Sequence, residues 1–169
     1  MFVYTHGLKS KDIDIVVDFP ELEKLRQQYT LAKNDRLKKY EIKLEETDVD
    51  VYVPNYSNPG LPAEEISKYL SNREGFTVPL PEILLILKQT AYEQRKGTPK
   101  GEKDKIDMMS LLCLPNFDFA NYHEALARFG LGRYSKALKA LIKNTLEMKE
   151  LGLNQHQFSR LKKSFLIKL

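Results

Sequence analysis

The sequence predicts an α+β fold, with a small mixed or antiparallel sheet, flanking helices and a helical C-terminal half. Strand-like alternation of polar and apolar residues is confined to the first third of the 169-residue chain. Helical periodicity prevails in the second half. These two patterns predict an α/β subdomain over residues 1–80 and a helical subdomain over residues 81–169.

The front half opens with D-I-D-I-V-V at residues 12–17, which predicts a strand with Ile13 and Ile15 pointing into the core. A helix is expected to begin near Leu22, because Pro20 suits a first helical turn. Two further strands are predicted at 40–44 and 49–53. The residues Glu46-Thr47-Asp48 between them predict a tight antiparallel hairpin.

The chain after the turn-rich segment 55–62 reads as largely helical. Helices are predicted over 63–70, 81–95 and 103–113, with a polar hinge-like loop, K-G-T-P-K-G-E-K, before the third. Residues 117–169 predict three more helices, which are interrupted by glycines.

Composition excludes several classes of protein. The chain is 42% hydrophobic and 30% charged, which is typical of a globular protein. Its single cysteine, Cys113, excludes an internal disulfide and favours a reducing compartment. No apolar run approaches the ~18 residues that a membrane helix needs, and the first residues do not resemble a signal peptide. We therefore expect a cytoplasmic protein without a membrane partner.

The net charge of +4 is unevenly distributed. Residues 133–169 carry a balance of +7 and the residues before them a balance of −3. A basic segment on an acidic body points to a polyanionic partner, although lysines that only keep a helix soluble give the same pattern. The RNA-contacting candidates share one helical face: Lys136, Lys139 and Lys143.

The most informative residues are the carboxylates of the predicted strands. Asp12 and Asp14 stand two residues apart, so they project from the same face of a strand. Asp50 repeats this pattern on the strand 49–53 and completes a cluster of three carboxylates if the two strands are neighbours, whereas Asp48 lies at the hairpin. Oxygen ligands of this kind suit Mg²⁺, although an acidic edge strand without a metal is the simpler interpretation.

The segment Gly7-Leu-Lys-Ser-Lys-Asp-Ile-Asp-Ile15 resembles the core motif of the polymerase-β-like nucleotidyltransferase superfamily. The resemblance implies that Lys9 and Ser10 bind the nucleotide. It also implies that the three aspartates are catalytic and bind two Mg²⁺ ions: Asp12, Asp14 and Asp50.

One part of the family pattern is missing. The superfamily places a Gly-Gly or Gly-Ser pair upstream of this motif to hold the triphosphate, and the residues before Asp12 contain no such pair. Two explanations stay open: the chain starts downstream of the pair, or the domain has lost its phosphate loop.

A second group of charged residues lies in the helical half. Lys88 and Arg95 are seven residues apart and share a helical face, and Asp104 and Asp107 form an i, i+3 pair. Surface salt bridges are one interpretation. The order also resembles the AbiEii-like toxins of abortive-infection systems. That resemblance implies that Lys88 contacts the nucleotide phosphates and that an antitoxin protein is a partner. It also implies that Asp104 and Asp107 either position Lys88 or assist the attacking group.

The resemblance therefore implies a metal-dependent enzyme that transfers a nucleotide from an NTP to a hydroxyl acceptor, such as RNA or a tRNA end. Two alternatives are kept. One is a non-catalytic module of the same fold that binds RNA or a protein. The other is a nucleotidyltransferase acting on a small molecule, which would not need the basic C-terminal segment.

Overall fold

The α+β class is confirmed by a computed structural model, which describes residues 12–169. Within that range, four strands form a mixed sheet with the order β1-β4-β3-β2. Strand β4 runs parallel to β1 and antiparallel to β3, and β3 runs antiparallel to β2. The elements are β1 (Asp12–Val16), helix α1 (Phe19–Gln28), β2 (Leu31–Asn34), β3 (Lys39–Lys43) and β4 (Asp48–Tyr52).

One face of this sheet packs on α1 and forms a small core. Alternation along β4 points Val49 and Val51 to this face, and Val51 is fully buried. Helix α1 contributes Leu22 to this core. Asp18 caps the helix, because its carboxylate accepts a hydrogen bond of 2.9 Å from the Glu21 amide. The opposite face of the sheet is left to the polar residues of the same strands.

The expectation for Ile13 is wrong. Ile15 packs against the small core, whereas Ile13, on the same face of the outer strand β1, is 51% exposed. The predicted hairpin between β3 and β4 is present, and its connection is Leu44–Thr47 rather than residues 46–48.

The rest of the described chain is mainly helical. A two-stranded antiparallel sheet interrupts it early, at the point where the sequence indicated only a helix ending at residue 70. Its turn is Glu74-Gly75, and both residues have positive φ, as a two-residue hairpin requires. The elements are α2 (Ala63–Ile66), β5 (Leu70–Arg73), β6 (Phe76–Pro79), α3 (Pro81–Arg95), α4 (Pro99–Leu112), α5 (Phe119–Arg128), α6 (Arg133–Asn144), a 3₁₀ turn (Lys149–Leu151) and α7 (Gln155–Lys168).

Buried polar contacts fix the position of α3. The Gln89 amide nitrogen donates to the Tyr134 carbonyl at 2.9 Å, and the Tyr122 hydroxyl donates to the Gln89 oxygen at 2.6 Å. Glu82 accepts a hydrogen bond of 2.7 Å from the Asp118 amide, at the start of α5. These contacts face the helical core, and they direct the other side of α3 away from it.

Helix α4 begins earlier than the sequence predicted. Instead of a hinge over residues 96–103, a short turn ends at Thr98, which caps the helix by accepting from the Gly101 amide at 3.1 Å. Pro99 takes the first helical position, where its missing N–H costs nothing. The loop is therefore shorter and more tightly bonded than its composition indicated.

The buried hydrophobic residues fall into two clusters. The small core joins β1 to β4 with α1 and ends at Tyr56, and the large core contains Leu61 and residues of all the later helices. The cores thus divide between residues 56 and 61, whereas the sequence divided the subdomains near residue 80. None of the described helices combines the length and the apolar character needed to cross a membrane.

Candidate functional site

The polar face of the sheet carries a row of three carboxylates. In the strand register Asp14 lies opposite Asp50, and Asp50 lies opposite Glu41. The three residues sit on β1, β4 and β3 and point to the same face, because residues directly opposite one another share a face. We call Asp14, Asp50 and Glu41 the carboxylate row.

Lys39 neutralises part of this row. Its ammonium group donates a short hydrogen bond to Asp50 and lies 3.1 Å from Glu41, and only 12% of the side chain is exposed. Burial lowers the pKa of Lys39, but the hydrogen bonds that it donates to Asp50 and Glu41 outweigh this effect and raise the pKa above its ordinary value. The amide of Asn34 donates to Glu41 at 2.9 Å and holds this carboxylate in place.

Asp14 occupies the other end of the row. It keeps solvent-accessible surface, yet the protein atoms around it raise the pKa of its carboxyl group, and the Asp50 charge adds to this effect. The hydroxyl of Tyr52 donates to Asp14 at 3.1 Å. Burial and the charges of Asp14 and Asp50 in turn raise the pKa of Tyr52, so that this phenol stays a donor.

Asp12 and Asp48 lie one step further along the sheet. They are register partners, and Asp48 forms an ion pair of 2.7 Å with the exposed Lys43. The structure therefore brings Asp50, and not Asp48, opposite Asp14. The predicted neighbourhood of Asp12, Asp14 and Asp50 on two adjacent strands is present.

The charged residues of α3 and α4 form a second group, which we call the helical quartet: Lys88, Arg95, Asp104 and Asp107. Lys88 Nζ lies 2.6 Å from Asp107 Oδ2 and 3.5 Å from Asp104 Oδ1, and Arg95 NH2 lies 3.0 Å from Asp104 Oδ2. Both aspartates are 3% exposed. Surface salt bridging is therefore the wrong description, because these carboxylates are buried and depend on their partners.

Several contacts of the quartet are ion pairs without hydrogen-bond geometry. Asp104 Oδ2 and Asp107 Oδ2 have no partner with hydrogen-bond geometry, although each lies within ion-pair distance of a cation. Burial raises the pKa of Asp104, and the charges of Lys88 and Arg95 oppose this shift. Removing either cation would therefore leave the buried Asp104 carboxylate less well neutralised.

A close approach of backbone atoms holds the quartet together. A Cβ atom at Gly101 would meet the Arg95 carbonyl oxygen and would lie 2.9 Å from its carbon. Thr98 Oγ1 donates to the same carbonyl at 2.7 Å. The end of α3 and the start of α4 are thus packed so closely that Arg95 and Asp104 are brought into contact.

The charges of the two groups act on each other. The pKa values of Asp14 and Tyr52 are both raised, and the positive charges of Lys88 and Arg95, respectively, oppose these shifts. Asp14 and Lys88, which are 74 positions apart in the sequence, therefore lie close enough for their charges to interact.

The donor set fits one magnesium ion better than two. Among residues 12–169, no group of three His, Cys, Asp or Glu side chains is arranged to hold a metal ion. Asp50 already contacts the Lys39 ammonium. Mg²⁺ is usually held by one or two carboxylates together with substrate phosphates, and Asp12 and Asp14 are the residues that would hold one ion here. The second ion that the resemblance implies has no uncommitted carboxylate at Asp50.

The remaining predicted residues lie apart from this site or outside the described range. Lys9 and Ser10 fall outside the described residues. The three predicted RNA-contacting residues lie on α6, whose opposite face buries Leu138 and Ile142. Lys136 and Lys143 are exposed, and Lys139 is half-buried.

Sequence reasoning missed three residues of the site: Lys39, Glu41 and Tyr52. Tyr52 follows Asp50 by two residues in D-V-D-V-Y, so the strand alternation already placed it on the acidic face. Lys39 and Glu41 stand on the next strand with the same alternation. Their proximity to Asp50 depends on the register between β3 and β4, which a single sequence does not provide.

A groove of about 460 Å³ lies on the other side of α3, between α4 and α6. Gln89, Met108 and Leu138 form part of its lining, and Lys96 and Lys105 stand among the polar residues around it. It contains none of the predicted site residues, so the chemistry of the carboxylate row does not extend into it.

Comparison of the chain with protein-family models, with curated proteins and with solved structures finds no match.

Proposed function

We propose that this protein is a metal-dependent nucleotidyltransferase, which transfers a nucleotide from an NTP to a hydroxyl acceptor. The observation that carries the proposal is the pairing of Asp14 and Asp50 on neighbouring parallel strands, opposite a lysine held by buried carboxylates. This arrangement offers a place for a cation and a place for a phosphate in the same site.

Each group has a separate role in the proposed reaction. Asp12 and Asp14 hold the metal ion, and Asp50 completes the negative side of the site. Magnesium, when bound there, supplies charge neutralisation and activation of the attacking hydroxyl. Lys88 binds the triphosphate as a point charge. Asp104 and Asp107 hold the Lys88 ammonium in position, so that little side-chain freedom is lost on binding.

The bond changes balance without a further reactant. The acceptor oxygen bonds to the α-phosphorus of the NTP, the bond to the leaving pyrophosphate breaks, and the hydroxyl proton passes to solvent. Positioning and neutralisation of charge supply most of the acceleration in such a reaction.

We propose RNA, such as a tRNA end, as the acceptor. The lysine face of α6 supports this choice, because Lys136 and Lys143 are exposed and Lys139 is half-buried. Contacts of lysines with phosphates are independent of base sequence and weaken with salt. A small-molecule acceptor would leave this face without a role.

One observation favours the second candidate, a non-catalytic module of the same fold. Lys39 contacts Asp50 and Glu41, which leaves fewer carboxylates for metal binding than the resemblance implies. Such a module would bind RNA or a nucleotide without transferring it.

The test is transfer of label from α-³²P-labelled NTPs to bulk RNA in the presence of Mg²⁺. We expect transfer by the wild type and its loss in Asp14→Asn and Asp50→Asn. Asp18→Asn is the matched control, because it makes the same change of carboxylate to amide at the cap of α1, where Asn caps equally well.

Two results would decide against the enzyme. Transfer that persists in both site variants would remove the carboxylates from the mechanism. Binding of RNA or NTP by the wild type, without any transfer, would favour the non-catalytic module instead.

A further inference from the structure

Lys39 is built into the sheet and is not a mobile surface lysine. It stands at the first position of β3, with 12% of its side chain exposed. Two carboxylates contact its ammonium group, Asp50 from the next strand and Glu41 from its own. Asn34 then fixes Glu41 from β2. Three strands therefore cooperate in holding one positive charge against Asp50.

The charge of the carboxylate row explains why a cation is needed there. Like charges on adjacent strands repel, and Asp14, Asp50 and Glu41 lie opposite one another on three neighbouring strands. Lys39 neutralises one of these three charges and thus does part of what a second divalent ion would do. A second divalent ion at Asp50 would have to displace Lys39 and leave its ammonium half-buried and without a partner.

We infer that Lys39 is a resident cation that takes the place of a second metal ion at Asp50, so that the site binds one divalent ion. The number of metal ions rests on the proposed function, because it assumes that the site binds metal at all. The exclusion of a cation from Asp50 by Lys39 rests on the contacts of Lys39 alone.

The same geometry gives Lys39 a positioning role. It holds the Asp50 carboxylate in place through their ion pair, and it supplies a fixed positive charge that does not dissociate. The reaction would then depend on one exchangeable ion, with the protein providing the other cation.

The experiment is a calorimetric titration of the full chain with Mn²⁺, which measures the number of ions bound. We expect one ion per wild-type chain and two per Lys39→Met chain. Lys39→Arg keeps the positive charge and the fit to two carboxylates, so it should bind one ion. Lys33→Met is the matched control, because Lys33 also pairs with an aspartate, at 2.7 Å from Asp35, but its register partner Tyr40 lies on the other face of the sheet.

A second readout is thermal stability. Loss of the Lys39 ammonium leaves Asp50 and Glu41 adjacent and unneutralised, so Mn²⁺ should raise the melting temperature of Lys39→Met more than that of the wild type or of Lys33→Met. This readout needs no enzymatic activity.

The outcomes separate the inference from the proposed function. Two ions in the wild type, or one in both the wild type and Lys39→Met, would overturn the inference and leave the metal site standing. No ion in either would overturn both the inference and the metal in the proposed function. No ion in the wild type and one in Lys39→Met would remove the metal from the proposed function but support the exclusion by Lys39. If Lys39→Met does not fold, one ion in both the wild type and Lys39→Arg supports the inference, and two in either overturns it.

Discussion

Replacing Lys88 by Met removes the ammonium group that contacts two buried carboxylates of α4. Methionine has a similar length and retains the packing of the stem. Asp107 loses its 2.6 Å partner, whereas Asp104 keeps Arg95. The substitution therefore measures what one buried aspartate costs the protein when its cation is gone.

The magnitude follows from burial. Breaking a buried ion pair by removing one partner costs about 3–5 kcal/mol, because the remaining charge is left unpaired. The side chain of Lys88 is 24% exposed and that of Asp107 is 5% exposed, so solvent reaches one partner of the pair. We expect a loss near the lower end of that range, about 3 kcal/mol.

Urea unfolding followed by circular dichroism measures this loss. Lys24→Met is the matched control, because Lys24 also lies 2.6 Å from a carboxylate, that of Glu21, but both side chains are more than half exposed. The control should leave the midpoint unchanged. Because both ion pairs have the same distance and differ in burial, the difference between the two variants measures the effect of burial.

A double variant tests the cause. Lys88→Met with Asp107→Leu removes both charges, and replacement of a buried pair by apolar residues is often neutral. It should be more stable than Lys88→Met alone. If Lys88→Met behaves like Lys24→Met, or if the double variant is no more stable than the single one, the quartet does not hold buried, mutually dependent charges.

Two further predictions concern the turn before α4 and the lysine face. Gly101→Ala should destabilise the protein by about 1–3 kcal/mol through overpacking against the Arg95 carbonyl group, which outweighs the ~1 kcal/mol that Ala contributes over Gly in a helix. Gly132→Ala is the control, because a Cβ at this position meets nothing within 4 Å. A gain in the urea midpoint of Gly101→Ala would contradict the clash. Changing Lys136, Lys139 and Lys143 together to Ala should reduce the steepness of the plot of log binding constant for single-stranded RNA against log salt concentration by about 2. An unchanged slope would exclude this lysine face from RNA binding.

The sequence predicted the strongly patterned elements and missed the weakly patterned ones. Strand β1 and helix α3 have clear periodicity, and α3 matches the predicted 81–95 range. Strand β2, L-A-K-N, is a short edge strand with little apolar alternation, so it carries no signal of its own. The β5–β6 hairpin has exposed apolar residues, Leu70 and Phe76, which do not alternate as a buried strand does.

The candidate site shows the same limit. Alternation predicted which side chains of a strand share a face, and this was enough to place Asp14 and Asp50 together once β4 lies beside β1. It did not predict that Glu41 lies opposite Asp50 or that Lys39 contacts both, because register across strands depends on the whole sheet. The burial of Asp104 and Asp107 likewise depends on how α4 packs against its neighbours.

The division of the buried hydrophobic residues into two clusters has a consequence for how a ligand would act on this protein. Asp14 stands on the sheet of the small core and Lys88 on a helix of the large one, and no described residue is counted in both. We therefore expect the apolar interior of each half to melt in a transition of its own. A molecule that binds Asp14 and Lys88 at once would couple them, and its binding would be seen as the merging of two melting transitions into one.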